Sequence, residues 1–201
     1  MWAKLNSDED TIEEIIVKAK GMIVDGINHP KALFTLWTDA ERLAIGIVPV
    51  TTSGLHLDTT YYIEKDPTYV IAGDKDSVIR TIGVKDIDKA LEDVNEVDEN
   101  GIQSIKRGLK YNAIQNIKVQ QSEYLTTTDW YIIRKADNGT AIPSVIQTWR
   151  DAIRTDATRI ENAIIAVSTM DQFIALHQDT YNEDGTVNII ATVNSWTELG
   201  T

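Results

Sequence analysis

The hydrophobic positions of this chain change period partway along it. Up to about residue 84 the apolar residues come in short runs bounded by Gly, Pro, Asn and Asp, a pattern that predicts short strands. Met1 to Leu5, Thr11 to Val17 and Met22-Ile23-Val24 read as strands, with Asn6 to Asp10 as a turn and Gly21 and Gly26 bracketing the third. The Glu13-Glu14 pair leaves a helix open for the second run, and His29-Pro30 calls for an extended or turning backbone. Thr38-Asp39-Ala40-Glu41 has the form of a capping box, opening a short helix that Gly46 closes before Ile47 to Val50 resumes extended structure. Tyr61-Tyr62-Ile63, Tyr69-Val70-Ile71 and Val78 to Ile82, parted by Asp66-Pro67 and Gly73-Asp74, predict a small antiparallel meander.

A longer period then takes over. Lys85 to Val97 is acidic and moderately periodic and reads as a helix or helical linker, with Asn100-Gly101 as a break. Ile102, Ile105, Leu109, Ala113, Ile117, Tyr124 and Tyr131 recur at helical spacing, with Gln121 and Thr128 as polar interruptions of the stripe. One helix from Ile102 to Ala136 would be roughly 50 Å long at 1.5 Å per residue. Asp137-Asn138-Gly139 stops it, since Asn and Gly tolerate the left-handed conformation that closes a helix, and Pro143 prevents its continuation. A second helix begins at Pro143, with Thr140 or Ser144 as candidate caps and Ile146, Trp149, Ile153, Ile160, Ile164 and Val167 as its stripe. So short a connection folds the two helices back antiparallel. Ser168 to Asp171 resembles a further capping box for a short helix ending near His177. Asn182 to Gly185 is a turn, and Thr186 to Val193 alternates as a terminal strand able to return to a sheet.

The fold class expected is therefore α+β: a small antiparallel β-rich domain over residues 1–85, an acidic linker or helix over 86–101, and a helical hairpin with a C-terminal helix and strand over 102–201. A hairpin of this length has a small core for its surface and calls for a partner: its own N-terminal domain, a symmetry mate or another protein. Large aromatics such as Trp130 and Trp149 on helical stripes read first as packing residues, in a core or an interface.

Composition narrows the chemistry. The chain has 201 residues, 42% hydrophobic and 25% charged, an ordinary globular mixture. Of its 31 acids and 19 bases, 20 acids and 10 bases fall in the first hundred residues, which argues against a phosphate-binding surface there. The absence of cysteine excludes disulfides, thiolate nucleophiles and Cys-based zinc sites. The N-terminal stretch lacks the basic and apolar regions of a secretory signal, and no apolar run is long enough to span a bilayer, so neither a membrane nor that export route is expected. Asp93 to Asp98 fails as a calcium loop because Val97 stands where an oxygen ligand is needed and Asp98 where a glycine is needed; Asn182 to Gly185 lacks the rest of such a loop. His29, His56 and His177 form no metal or triad spacing, and no phosphate-binding glycine loop or nucleophile elbow occurs. Arg134-Lys135, Arg150, Arg154 and Arg159 lie among acids and read as ion-pair formers rather than nucleic-acid contacts. No catalytic, cofactor-binding or metal-binding residue is expected. A hydrolase built on the acidic loops with His29 or His56, with Asp74 and Asp76 as further candidates, is the enzyme reading weighed against this.

Two parts of the chain resemble proteins of tailed bacteriophages. One comprises MWAKL at the N-terminus, His29 to Trp37 (HPKALFTLW), Glu41 to Val50 (ERLAIGIVPV) and the pair Tyr61-Tyr62, and is similar to the start of tail-associated proteins. The other, Leu125 to Pro143 followed by Thr148 to Arg154 (TWRDAIR), resembles the C-terminal region of tail-fibre assembly or tail-associated proteins, where an Asp-Trp pair precedes a proline and an Arg-containing helix. The chain continues some 40 residues past that helix, unlike the shorter chaperone-like members. The resemblance implies a non-enzymatic virion structural protein of the tail or tail fibres, made in the host bacterial cytoplasm. The alternative it implies is a tail-fibre assembly chaperone absent from the virion. The implied partners are other tail or fibre proteins and further copies of the chain in a symmetric assembly. The candidate interface is the hinge, with Asp129, Trp130, Arg134, Asn138, Gly139, Pro143, Trp149 and Arg150.

Overall fold

The computed structural model describes residues 1–200 and is α+β, with β structure in the N-terminal region followed by helices and short C-terminal strands. Two compact units divide it, Met1–Ile87 and Asp88–Thr201.

In the first unit, β1 (Trp2–Leu5) pairs antiparallel with β2 (Ile12–Ile16), matching Trp2 to Ile16 and Ala3 to Ile15. A small hairpin, β3 (Met22–Val24) with β4 (Ile27–His29), and the short helices α1 (Leu33–Leu36) and α2 (Asp39–Leu43) come next. The expected capping box is formed: Glu41 N–H donates to the Thr38 hydroxyl at 3.3 Å, and Thr38 N–H donates to the Glu41 carboxylate at 2.7 Å. The Thr38 N–H and the Thr38 hydroxyl both donate to the carboxylate, and these bonds to its charged form hold the Glu41 carboxyl below its ordinary value. β5 (Ile47–Ser53) returns beside β1, and β6 (Tyr62–Glu64), β7 (Thr68–Ile71), β8 (Val78–Thr81) and β9 (Lys85–Asp88) follow.

The main sheet has the order β2-β1-β5-β8-β7. Side chains of a strand alternate between faces, and β1 shows what that does here. Ala3 and Leu5 point to one side, into a cluster with Val48 and Val78. Trp2 points to the other and packs with Ile16, Ile47 and Phe34, its ring centroid 4.7 Å from that of Phe34. The sheet is thus covered on both faces at β1 and β5, whereas Val70 and Ile79 leave one face of β7 and β8 exposed. The meander expectation is corrected in two respects: β6 pairs with β9 and not with β7, and β8 lies parallel to β5, with Val50 opposite Val78. Only the β7–β8 antiparallel pair is as expected. Arg42 is buried in this unit, its guanidinium donating to the carbonyls of Leu33 and Trp37 at the end of α1.

The second unit overturns two expectations. The acidic stretch expected to be helical supplies β10 (Val94–Val97), and the start of the expected long helix supplies β11 (Gln103–Lys106); the two pair antiparallel around Asn100-Gly101. A non-local contact forces the change. Gly108 N–H donates to the Asp93 carboxylate at 2.8 Å, and Arg107 donates to the same group at 2.6 Å. A Cβ on Gly108 would fall 2.4 Å from the Glu92 carbonyl, an approach that glycine alone permits. Helix α3 (Leu109–Thr126) therefore starts only after residue 108.

The second correction concerns its end. The helix does not run through to Ala136: it breaks at Thr127-Thr128, and α4 (Asp129–Asn138) is a separate helix. Thr126, Thr127 and Thr128 turn their hydroxyls back onto the carbonyls of Ser122, Tyr124 and Leu125, competing with the backbone ladder. α5 (Ser144–Ala166) then packs antiparallel on α3, tied at one end by Lys110 Nζ to the Ile165 carbonyl (3.0 Å) and at the other by Arg150 to the Leu125 carbonyl (2.7 Å). The predicted stripe of Ile146, Trp149, Ile153, Ile160, Ile164 and Val167 is buried throughout. Of the α3 stripe, Ala113 and Ile117 are buried, whereas Ile102, Ile105 and Tyr124 are exposed.

α6 (Met170–Ala175) is opened by a box one residue later than expected, Thr169 with Gln172. The C-terminal strand pairs as β12 (Thr180–Tyr181) with β13 (Val187–Ile189), a hairpin rather than a return to the main sheet. A 3-10 turn at Thr192–Asn194 leads the last residues across the helix pair.

Candidate partner-binding site

The hinge is built around α4. Thr128 sits in the break with its hydroxyl buried, and Asp129 begins the helix, where a carboxylate complements the positive helix end. Arg150 reaches from the second turn of α5 with only 5% of its surface exposed. One terminal nitrogen donates to the Leu125 carbonyl and the Thr128 hydroxyl, both at 2.7 Å, and the other donates to the Asp129 carboxylate at 2.8 Å. A planar fork with several donors suits this task in a way that a lysine ammonium does not. It satisfies the end of α3 and fixes the start of α4 in one contact.

What is fixed is a helix that buries none of its own residues. Trp130 is 49% exposed, Ile132 40% and Ile133 67%. The Trp130 ring stacks on Tyr131 with centroids 3.7 Å apart, and the Arg134 guanidinium lies 4.8 Å from the first ring and 5.1 Å from the second. Cation–π attraction orients these rings although little covers them. At the far end Gly139 closes α4 at φ 73°, its N–H donating to the Lys135 carbonyl. Asn138 Oδ1 accepts from Thr140 N–H (3.1 Å) and from its hydroxyl (2.6 Å). Pro143 precedes α5 in extended conformation, and neither Thr140 nor Ser144 acts as a side-chain cap there.

Asp129 and Arg150 are thus in contact, and Trp130 and Arg134 form one exposed cluster, while Asn138, Gly139 and Pro143 shape the turn. Trp149 belongs elsewhere: it is buried and donates its indole N–H to the Thr197 carbonyl at 3.0 Å. Residues that sequence reasoning left out complete the region. Thr128 and Leu125 carry the Arg150 contact, and Ile133 enlarges the exposed face beside Trp130, while Ile132 is exposed on another side of the helix; the Thr126-Thr127-Thr128 run was the available signal for the break. The C-terminal strap was also missed. Thr197 donates its N–H (2.8 Å) and hydroxyl (2.7 Å) to Asp156, Arg159 donates to Asp156 (3.0 Å), and Trp196 donates to Gln120 (3.0 Å). Burial, the largest influence on Asp156, pushes its pKa up, but the bonds from Thr197 and Arg159 together outweigh it and leave the carboxyl below its ordinary value. An open groove of about 570 Å³ between Gln120, Glu123, Tyr124, Thr127, Asn194 and Trp196 borders the break in the helix.

The three histidines make local contacts within their own units. His56 Nδ1 is 2.8 Å from the Glu64 carboxylate, His29 meets the Trp37 ring edge-on, and His177 Nδ1 is 2.9 Å from the Phe173 carbonyl. Among the described residues no group of three or more His, Cys, Asp or Glu is placed to hold a metal ion, and no helix is long and apolar enough to cross a membrane. Comparison with protein-family models, curated proteins and solved structures finds no match to this chain.

Proposed function

We propose that this chain is a non-enzymatic structural protein of a bacteriophage tail or tail fibre, made in the bacterial cytoplasm and carried in the virion, and that it acts through protein–protein contacts centred on α4. One observation carries the reading: α4 is anchored by Arg150 yet leaves Trp130 and Ile133, one turn apart, exposed on one side. Rigid aromatic anchors beside an arginine are the composition of interface hot spots. The phage assignment itself rests on the resemblance of Leu125 to Pro143 and Thr148 to Arg154, the segments that build this hinge. Other tail or fibre proteins are the partners this reading supplies.

The test is quantitative mass spectrometry of gradient-purified particles of the phage that encodes the chain. A fixed ratio to a major tail protein is the expected result. Absence from particles together with presence in infected cells would instead favour an assembly chaperone.

A further inference from the structure

Among the described residues the hairpin β10–β11 is hydrogen-bonded to no other strand, and all eight of its residues are exposed. Val94 (41%), Val97 (64%) and Ile105 (55%) are exposed with Ile102 (63%) beside them. An isolated two-stranded hairpin is marginally stable in water. This one therefore has free edges and uncovered apolar area at once.

Its register says which backbone groups are free. Asp98 N–H donates to the Ile102 carbonyl, so Asp98–Ile102 is a hydrogen-bonded pair. The alternation of antiparallel ladders then makes Glu96–Ser104 and Val94–Lys106 hydrogen-bonded and leaves Val97–Gln103 and Asn95–Ile105 non-bonded. The N–H and C=O groups of Asn95 and Val97 consequently point outward from one edge, and those of Gln103 and Ile105 from the other. The same four side chains share one face and, with Ser104, line an open hollow of about 390 Å³.

The two edges carry opposite charge. β10 and its flanks hold Asp93, Glu96, Asp98 and Glu99, while β11 is followed through Lys106 and Arg107. Within the hairpin these already pair, Lys106 with Glu96 at 3.3 Å and Arg107 with Asp93 at 2.6 Å. Pairing β10 with the β10 of another copy so that both outward residues bond, Asn95 with Val97, would set Glu96 opposite Glu96. Pairing β11 with a second β10, in the register the chain uses internally, sets Arg107 opposite Asp93, places Lys106 diagonal to Glu96, and joins Ile105 and Gln103 to Asn95 and Val97 through their outward groups.

We infer that copies of this chain associate head-to-tail by adding the β11 edge of one to the β10 edge of the next. Such heterologous contacts propagate into a closed ring or a filament and do not stop at a dimer. The inference deepens the assembly reading above by naming a surface for self-association. It is read on the purified chain alone, so its failure and the absence of the protein from particles are separate results.

The experiment is sedimentation and native mass spectrometry of the full chain with Lys106→Glu, Glu96→Lys and Ile105→Pro. The wild type is expected to form species of three or more copies. Each charge variant alone should associate about tenfold more weakly or worse, and mixing the two should restore assembly with the variants in equal numbers, because every edge then meets its opposite. Ile105→Pro removes an outward N–H but no bond within the hairpin, so it should dissociate the assembly while leaving helix content unchanged. A monomeric wild type, a species that ends at two copies, or undiminished association of Lys106→Glu alone would overturn the inference.

Discussion

The Arg150 guanidinium donates to the Thr128 hydroxyl at 2.7 Å across the break between α3 and α4, from a residue 22 positions further along the chain. That contact ties the two helices across the break, since the same side chain also holds the Leu125 carbonyl near the end of α3 and the Asp129 carboxylate at the start of α4. Replacing Arg150 with Met would leave the buried Thr128 hydroxyl and the Leu125 carbonyl without this donor. We expect a loss of about 2–4 kcal/mol in chemical denaturation. Arg154→Met, which removes a half-exposed pair with Asp151 and a long 3.3 Å bond to the Arg150 carbonyl, should change stability by about 0.5 kcal/mol or less. Equal effects of the two would show that Arg150 does not staple the hinge.

Because α4 buries no residue, its surface can be altered without unfolding the unit. Trp130→Ala, which loses a half-exposed ring and its cation–π contact, should cost about 1 kcal/mol, and Ile133→Asp about 0.5 kcal/mol. If α4 is the partner face, both should cut incorporation into particles by about tenfold or more, as hot-spot truncations do. Normal incorporation of a stable double variant would remove α4 as the interface.

How far the sequence was legible follows from how local each determinant is. The strand expected over Met1 to Leu5, the box of Thr38 with Glu41, and the stripe from Ile146 to Val167 are decided within a few residues of themselves, and each forms as its pattern suggests. The stretch 94–106 is different. Val94, Val97 and Ile105 fit helical spacing, but Asp93 finds its partners at Arg107 and Gly108, and that distant closure selects a hairpin. The break at Thr128 depends likewise on Arg150, and the orientation of Trp149 on Thr197, 48 residues away. Asp129 and Arg150 could be named as hinge residues; that they bond each other across the break could not.

Acid should loosen the C-terminal strap. The Asp156 carboxyl titrates below its ordinary 3.8 in the folded chain, so between the two values the unfolded state binds more protons. The stability it lends is fully present above the ordinary value and is lost as pH falls through the lower folded one. Trp196 fluorescence followed on acid titration should report release of the strap in that range. Asp156→Asn should weaken the strap at neutral pH and flatten this part of the profile. A wild-type profile unchanged by the substitution would exclude Asp156 as the group responsible.

Two glycines with nearly the same backbone angle should respond very differently to alanine. Gly139, at φ 73°, closes α4 in open space, with nothing within 4 Å of where a Cβ would stand. Gly139→Ala should therefore cost only the left-handed strain of an L-residue, about 1–2 kcal/mol. Gly83 also has φ 73°, but a Cβ there would lie 1.8 Å from the Leu55 carbonyl oxygen, a backbone atom that no side-chain rotation can move aside. Gly83→Ala must displace the chain around Leu55 in addition to bearing the same strain, so its loss in thermal denaturation should exceed that of Gly139→Ala clearly. The two variants separate conformational strain from steric exclusion. Equal losses would mean that the Leu55 segment shifts freely, and that Gly83 is required for its φ alone.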